Sequence, residues 1–184
     1  MLDAAVSAHG MNRSELAREL IATADIQVIR DWTESIWGAE SPHINLHRGL
    51  GRPKDPVRSN ERMPSEADRR ALIHRDGYHC RFCGIPLVRA QTRKRILAAY
   101  PDLVFWGRRN AEQHAAFQAM RVQYDHVVPH SAGGTNALEN LVITCAPCNY
   151  GRMGYTIEEV ALEDPRLRRP VASQWDGLER FGVI

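Results

Sequence analysis

Residues 125–152 read DHVVPHSAGGTNALENLVITCAPCNYGR, and the rest of the chain is best understood outward from them. Apolar residues around Asp125-His126 predict a strand over 123–128, and Leu141-Val142-Ile143 its antiparallel partner. Pro129 and Gly133-Gly134 mark the loop between them. Cys145-Ala-Pro-Cys148-Asn149 then opens a short helix from about Ala146 to Arg152. The stretch places a carboxylate beside an imidazole, with Asn140 and Asn149 at fixed distances downstream. Imidazole is the side chain suited to general-base work near neutral pH.

A second Cys-x-x-Cys pair, Cys80 and Cys83, lies upstream and completes the chain's four thiols. Two such pairs match a tetrahedral four-thiolate zinc site, each pair spanning one edge and leaving no position open for water. Zinc bound there is structural, and its binding energy is folding energy. An iron–sulfur cluster, a redox pair and four unconnected core cysteines are the other readings of the same residues. Ser65 caps a predicted helix, SEADRRALIHRDG, with Glu66 and Asp68 in its first turn and Gly77 at its end. That helix delivers the chain to Cys80.

The joint pattern of Cys-x-x-Cys, Asp-His, Asn-Leu and Cys-x-x-Cys-Asn resembles the HNH (ββα-metal) nuclease family, over roughly residues 65–84 and 124–165. The resemblance implies an α+β fold: a small zinc-braced ββα-metal core, here with a helical N-terminal segment and a helical insertion. It implies a metal-dependent endonuclease that hydrolyses DNA to 5′-phosphate and 3′-hydroxyl ends in a restriction, homing or anti-phage setting. His126 is then the general base. Asp125 and Asn149 are ligands for Mg²⁺ or Mn²⁺, while Cys80, Cys83, Cys145 and Cys148 hold zinc. On a strand Asp125 and His126 point to opposite faces; the family reconciles them by a local twist or by acting at the strand edge. Asn140 ties down the loop and orients the base. Arg152, three residues past Asn149, is expected to contact phosphate. His130, with Pro129 before it and a Gly-rich loop after, is expected to be a loop residue near DNA, the alternative being a catalytic histidine. A zinc-braced DNA-binding module that no longer cuts, or a nuclease subunit activated by a partner docked on residues 1–60, would carry the same motif.

Outside the motif, Gly84 to Tyr124 is too long for a structureless loop in a compact domain. Two helices are expected there, about Arg89–Ala99 and Ala111–Arg121, with Asn110 capping the second. Residues 84–124 carry seven basic groups against two acids, whereas the whole chain has a net charge of only +2. Arg93, Lys94, Arg95, Arg108 and Arg109, with Arg89, are therefore candidate phosphate contacts. The alternative is that they cover the insert's own surface or meet acids such as Glu34 and Glu40. The nuclease domain is expected to span 61–165, with a tail at 166–184 that is irregular but ends in an apolar Trp175–Phe181 patch.

Residues 1–11 are expected to be frayed or lightly docked. A helix capped by Asn12 or Ser14 is expected to reach about Gly38, using Ile36 and Trp37, unless it breaks at Thr23-Ala24-Asp25. Broken there it weakly resembles a helix-turn-helix; two packed helices serving as a docking or core element are the alternative. Pro42, Pro53, Pro56 and Pro64 make residues 39–64 a linker or irregular loop. Thr156 and Glu159 fit a capping box opening one more short helix. No apolar run approaches the roughly 18 residues of a membrane span, and no signal peptide is apparent. These features place the protein in the cytoplasm, where thiols stay reduced.

Overall fold

The computed structural model describes residues 1–36, 46–57 and 63–182. The chain is helical from its second residue. Leu2, Ala5 and Val6 fall on one helical face, and α1 (Leu2–Gly10) buries all three together with Ala8. The terminus is thus docked, not frayed. Asn12, in the left-handed region at φ 58°, turns the chain into α2 (Ser14–Thr23). Neither Asn12 nor Ser14 supplies a side-chain cap; Arg13 occupies that position. The break at Thr23-Ala24-Asp25 is present, and α3 (Gln27–Ile36) follows. The expected extension to Gly38, with Trp37, lies outside the described residues, as do Pro42 and Glu40. Asp25 secures the elbow by accepting from Arg30 Nη2 at 2.5 Å and from the Ala115 backbone N–H at 2.7 Å.

Ser65 caps α4 (Glu66–Asp76) in a reciprocal box with Asp68, and Gly77 ends it at φ 67°. The first helix of the insert forms as expected, as α5 (Ala90–Ala99). The second is shorter. Asn110–Glu112 is a single 3₁₀ turn, Gln113 and His114 are extended, and α6 covers only Ala115–Ala119. The cause is a local hairpin: Gly107 N–H donates to the Glu112 carbonyl at 2.9 Å, and Trp106 bridges to Gln113. A Cβ on Gly107 would lie 2.4 Å from that of Glu112, so the close approach requires glycine. The extended residues aim His114 inward, where its ring meets the Ile21 carbonyl at 3.1 Å. Burial holds this imidazole below its usual pKa.

Strands β1 (Val122–His126) and β2 (Leu141–Cys145) pair antiparallel, with Asp125 opposite Val142 and His126 opposite Leu141. Then α7 (Ala146–Arg152) closes the ββα unit. Two cores result. Val142, Ile143, Leu87 and Val127 pack with Cys80 and Cys145 under the ββα unit. The other core joins α1 and α2 to the insert and the tail: Val6 and Ile21 meet Ile96 and Phe117, and Leu178 and Phe181 fold back onto them. Among the described residues no helix is long and apolar enough to cross a membrane.

The Thr156–Glu159 box forms its two reciprocal bonds, at 2.8 and 3.1 Å, yet no helix follows. The chain turns instead, with Ala161 at φ 51°. Glu159 accepts from the Gly49 N–H at 2.8 Å and from Arg52 at 2.9 Å, clipping the segment around residues 47–52 to the ββα unit. Arg52 holds its carboxyl down at about 2.

Candidate active site and thiol cluster

The four cysteine sulfurs lie within 4.8 Å of one another. Cys83 Sγ and Cys145 Sγ are 3.7 Å apart, close to the separation of about 3.8 Å that tetrahedral Zn–S bonds of about 2.3 Å impose. In each pair the second cysteine's backbone N–H points at the first one's sulfur, 3.5 Å for Cys83 to Cys80 and 3.4 Å for Cys148 to Cys145. These donors stabilise thiolate charge. The neighbouring thiols, Cys145 foremost, pull Cys80 down by hydrogen bonding to it, while Cys148, Cys80 and Cys83 push Cys145 up. Four sulfurs so placed do not all ionise unless a cation joins them. Among the described residues this is the one group of three or more His, Cys, Asp or Glu side chains positioned to hold a metal. The cluster is compatible with zinc bracing.

Across the sheet, Asp125 faces α7. Both of its oxygens are taken by Arg152, Oδ2 by Nε at 2.9 Å and Oδ1 by Nη2 at 2.6 Å. Arg152 also donates to the carbonyls of His126 (2.5 Å), Val127 (3.3 Å) and Tyr155 (2.7 Å). Burial raises the Asp125 carboxyl, and the charge of Arg152 opposes that rise. Asn149, on the same side, donates to Gln123 Oε1 at 3.4 Å. Its own Oδ1 accepts nothing from the described residues.

Asn140 closes the loop between the strands. Its Oδ1 accepts from the Val128 N–H at 2.8 Å, and its Nδ2 donates to the carbonyls of Val128 (3.1 Å) and Thr135 (2.9 Å). A Cβ on Gly134 would stand 1.7 Å from the Val128 carbonyl oxygen, which is why glycine is needed there. The ring of His126 is oriented by a residue the motif did not single out. Its Nε2 meets Asn136 Oδ1 at 2.7 Å, and Asn136 Nδ2 donates to the Met63 carbonyl at 3.0 Å. Asn136 is four residues before Asn140 in a turn-rich loop, where asparagine ordinarily reads as turn chemistry. His130 sits in the same loop, half-buried, its ring 6.3 Å from that of His126.

Residues 114–163 match the family model described as HNH endonuclease. Over this stretch the chain is similar to HNH endonucleases. No curated protein and no solved structure gives a match. The matched segment contains Asp125, His126, Asn140 and Asn149, one thiol pair, and the loop that holds Asn136.

Around the ββα unit the expected basic contacts divide. Arg93 is 8% exposed, and its guanidinium lies 3.3 Å from the centroid of the Trp106 ring. Burial, with Arg121 beside it, pushes Arg93 down to about 10. Arg89 and Arg95 both pair with Glu179, at 2.7 and 3.0 Å. The acid that meets the insert thus comes from the tail, not from Glu34, and Glu40 is outside the described residues. Arg109 pairs with its own neighbour Glu112. Lys94 and Arg108 are exposed and make no ion pair with the described residues.

Arg152 departs most from its expected role. Its side chain is 1% exposed and its donors are all engaged within the fold, so it presents nothing to a phosphate. Arg152→Lys should therefore lower the melting temperature, because an ammonium cannot reproduce the two-pronged contact with Asp125. The salt dependence of DNA binding should stay that of the wild type. A melting temperature equal to that of the wild type would instead mean that the guanidinium is not held by Asp125 and is free for a phosphate.

Proposed function

We propose that this chain is a metal-dependent endonuclease that hydrolyses DNA phosphodiester bonds, with His126 as general base. The observation that carries the reading is the orientation of that imidazole. The Met63 carbonyl can only accept, so the Asn136 amide turns its nitrogen to Met63 and its oxygen to His126. Nε2 of His126 must then carry the hydrogen, and in the neutral ring Nδ1 keeps its lone pair. No described residue takes that lone pair. A water held at Nδ1 loses its proton to the ring as its oxygen attacks phosphorus, and the 3′ oxygen leaves with the bonding pair and takes a proton from solvent. The products are 5′-phosphate and 3′-hydroxyl ends.

Asp125 and Asn149 offer hard oxygen donors on the α7 side of the sheet. Each carboxylate oxygen has two lone pairs, so the bonds from Arg152 leave one on each, and the Asn149 oxygen is unengaged by the described residues. That donor set suits Mg²⁺ or Mn²⁺ with most of its water shell retained. The ion would supply charge neutralisation at the phosphate and leaving oxygen. Cys80, Cys83, Cys145 and Cys148 are read as ligands of one structural zinc. A cytoplasmic restriction, mobile-element or defence setting belongs to this reading through the family resemblance. A protein partner of residues 1–60 would meet α3, which leaves Val28 and Trp32 exposed while α1 and α2 face the core.

Incubation with supercoiled plasmid tests the proposal. Nicked and linear forms should appear with Mg²⁺ or Mn²⁺ and not with EDTA. His126→Ala should slow cleavage by at least about 100-fold, the low end for general-base catalysis, without altering the melting temperature. Cleavage that survives this substitution removes His126 from the role.

Asn136→Ala should lower kcat roughly 10-fold, as expected when a partner that orients a reacting group is lost. KM should be unchanged, and Asn136→Asp, which still accepts from Nε2, should recover much of the rate. Equal losses in both variants would reduce Asn136 to a loop residue.

Elemental analysis should find one zinc per chain. Cys80→Ser should lose it and unfold or aggregate, since structural zinc is worth on the order of 10 kcal/mol of folding energy. Active protein without zinc would overturn the assignment.

A further inference from the structure

One face of α4 carries Glu66, Arg69, Arg70 and Ile73, spaced i, i+3, i+4 and i+7. It looks across a cleft at Tyr124 of β1 and at Arg89 and Gln91, where α5 begins. The cleft holds about 150 Å³, well below the roughly 300–1,000 Å³ of pockets that enclose a small-molecule ligand. A phosphate-sized group suits it better.

Its lining calls for an anion. Arg70 is exposed and makes no ion pair with the described residues. Arg69 meets Glu66 only at a long 3.6 Å, and its Nε is buried without a hydrogen-bond partner. A bound anion would supply the acceptor that this donor lacks. Arg89 stands at the rim with its charge met by Glu179 at 2.7 Å, which leaves Arg69 and Arg70 as the cations facing the cleft. Glu66 is the one carboxylate in the lining, and it is largely exposed. The Arg69 guanidinium lies 5.5 Å from the centroid of the Tyr124 ring, giving the cleft an aromatic wall.

The position of the cleft is as informative as its charge. Tyr124 and His126 are alternate residues of β1 and share one face of the strand. A nucleic-acid strand with one phosphate at His126 brings a neighbouring phosphate towards Tyr124. We propose that this cleft binds a backbone phosphate next to the one cleaved, with Arg70 and Arg69 taking its charge and Tyr124 lying against the adjoining sugar or base. The proposal rests on the nuclease reading. It moves the principal phosphate contact from the insert to α4.

Fluorescence anisotropy with the full chain in buffer without added Mg²⁺ or Mn²⁺ tests it, using labelled DNA and RNA oligonucleotides of one sequence between 50 and 200 mM salt. Arg70→Ala should weaken binding several-fold and lower the log–log salt slope by about 1; adding Arg69→Ala should lower it by about 1 more. Losses for DNA and RNA alike support recognition of the shared phosphate, and a loss for one alone adds sugar selectivity to it. Arg13→Ala, an equal charge change at the α1–α2 turn, serves as control and should bind like wild type. If Arg70→Ala and the double variant also bind like wild type, the cleft is not a phosphate site, and continued plasmid cleavage by those preparations leaves the nuclease reading intact. Wild-type protein that neither binds nor cuts overturns both. Arg70 is exposed, so its variant should keep the wild-type melting temperature.

Discussion

Four sulfurs within 4.8 Å of one another create the constraint on which the ββα unit depends. As thiolates they repel, and as thiols they make a weak apolar contact; a cation among them resolves both problems at once. The consequence reaches beyond the cluster. Cys80 and Cys83 follow α4, and Cys145 and Cys148 end β2 and begin α7. Joining them sets α4 against the sheet, where Asp76, 1% exposed, accepts from the Ile143 N–H at 3.3 Å. The strap from Met63 through Ser65 is thereby brought within reach of Asn136, and the orientation of His126 follows from that contact.

The remaining chain is organised by a different force. The N-terminal helices, the insert and the tail each have one apolar face too small to fold against itself. Together they bury Leu178, Val104, Ile96 and Phe117 almost completely. This is hydrophobic burial of the ordinary kind, at about 25 cal/mol per Å² of apolar surface. It explains where the insert's charge goes. Once Trp175, Leu178 and Phe181 dock, Glu179 is carried to Arg89 and Arg95, and two of the cations that sequence charge alone offered to DNA become internal partners.

Buried electrostatics shape the site in the same way. Arg152 carries a full charge at 1% exposure, which is tolerable only because a carboxylate and three carbonyls surround it. Its fork aligns Asp125 and pins the backbone of His126 and Val127 where β1 ends. One side chain thus sets the direction of the carboxylate on one face of the strand and the position of the imidazole on the other. That is a reason for arginine at residue 152 that phosphate contact does not require.

The ββα unit was legible in the residues because its signals are local. The strand around Asp125, the Gly133-Gly134 turn, the Ser65 cap and the Cys-x-x-Cys spacing each depend on neighbours a few positions away, and each appears within a residue or two of its expected place. The Thr156–Glu159 box was legible as bonds but not as structure, because Glu159 is also claimed by Gly49 and Arg52, 110 and 107 residues distant. The second insert helix failed for a similar reason: the Trp106–Gln113 bridge outweighs helix propensity over so short a run. The partners of Arg93, Arg95, Arg152 and His126 required the folded chain. Whether an arginine meets water, an aromatic ring or a carboxylate depends on which surfaces burial brings together, and composition and spacing carry no record of that.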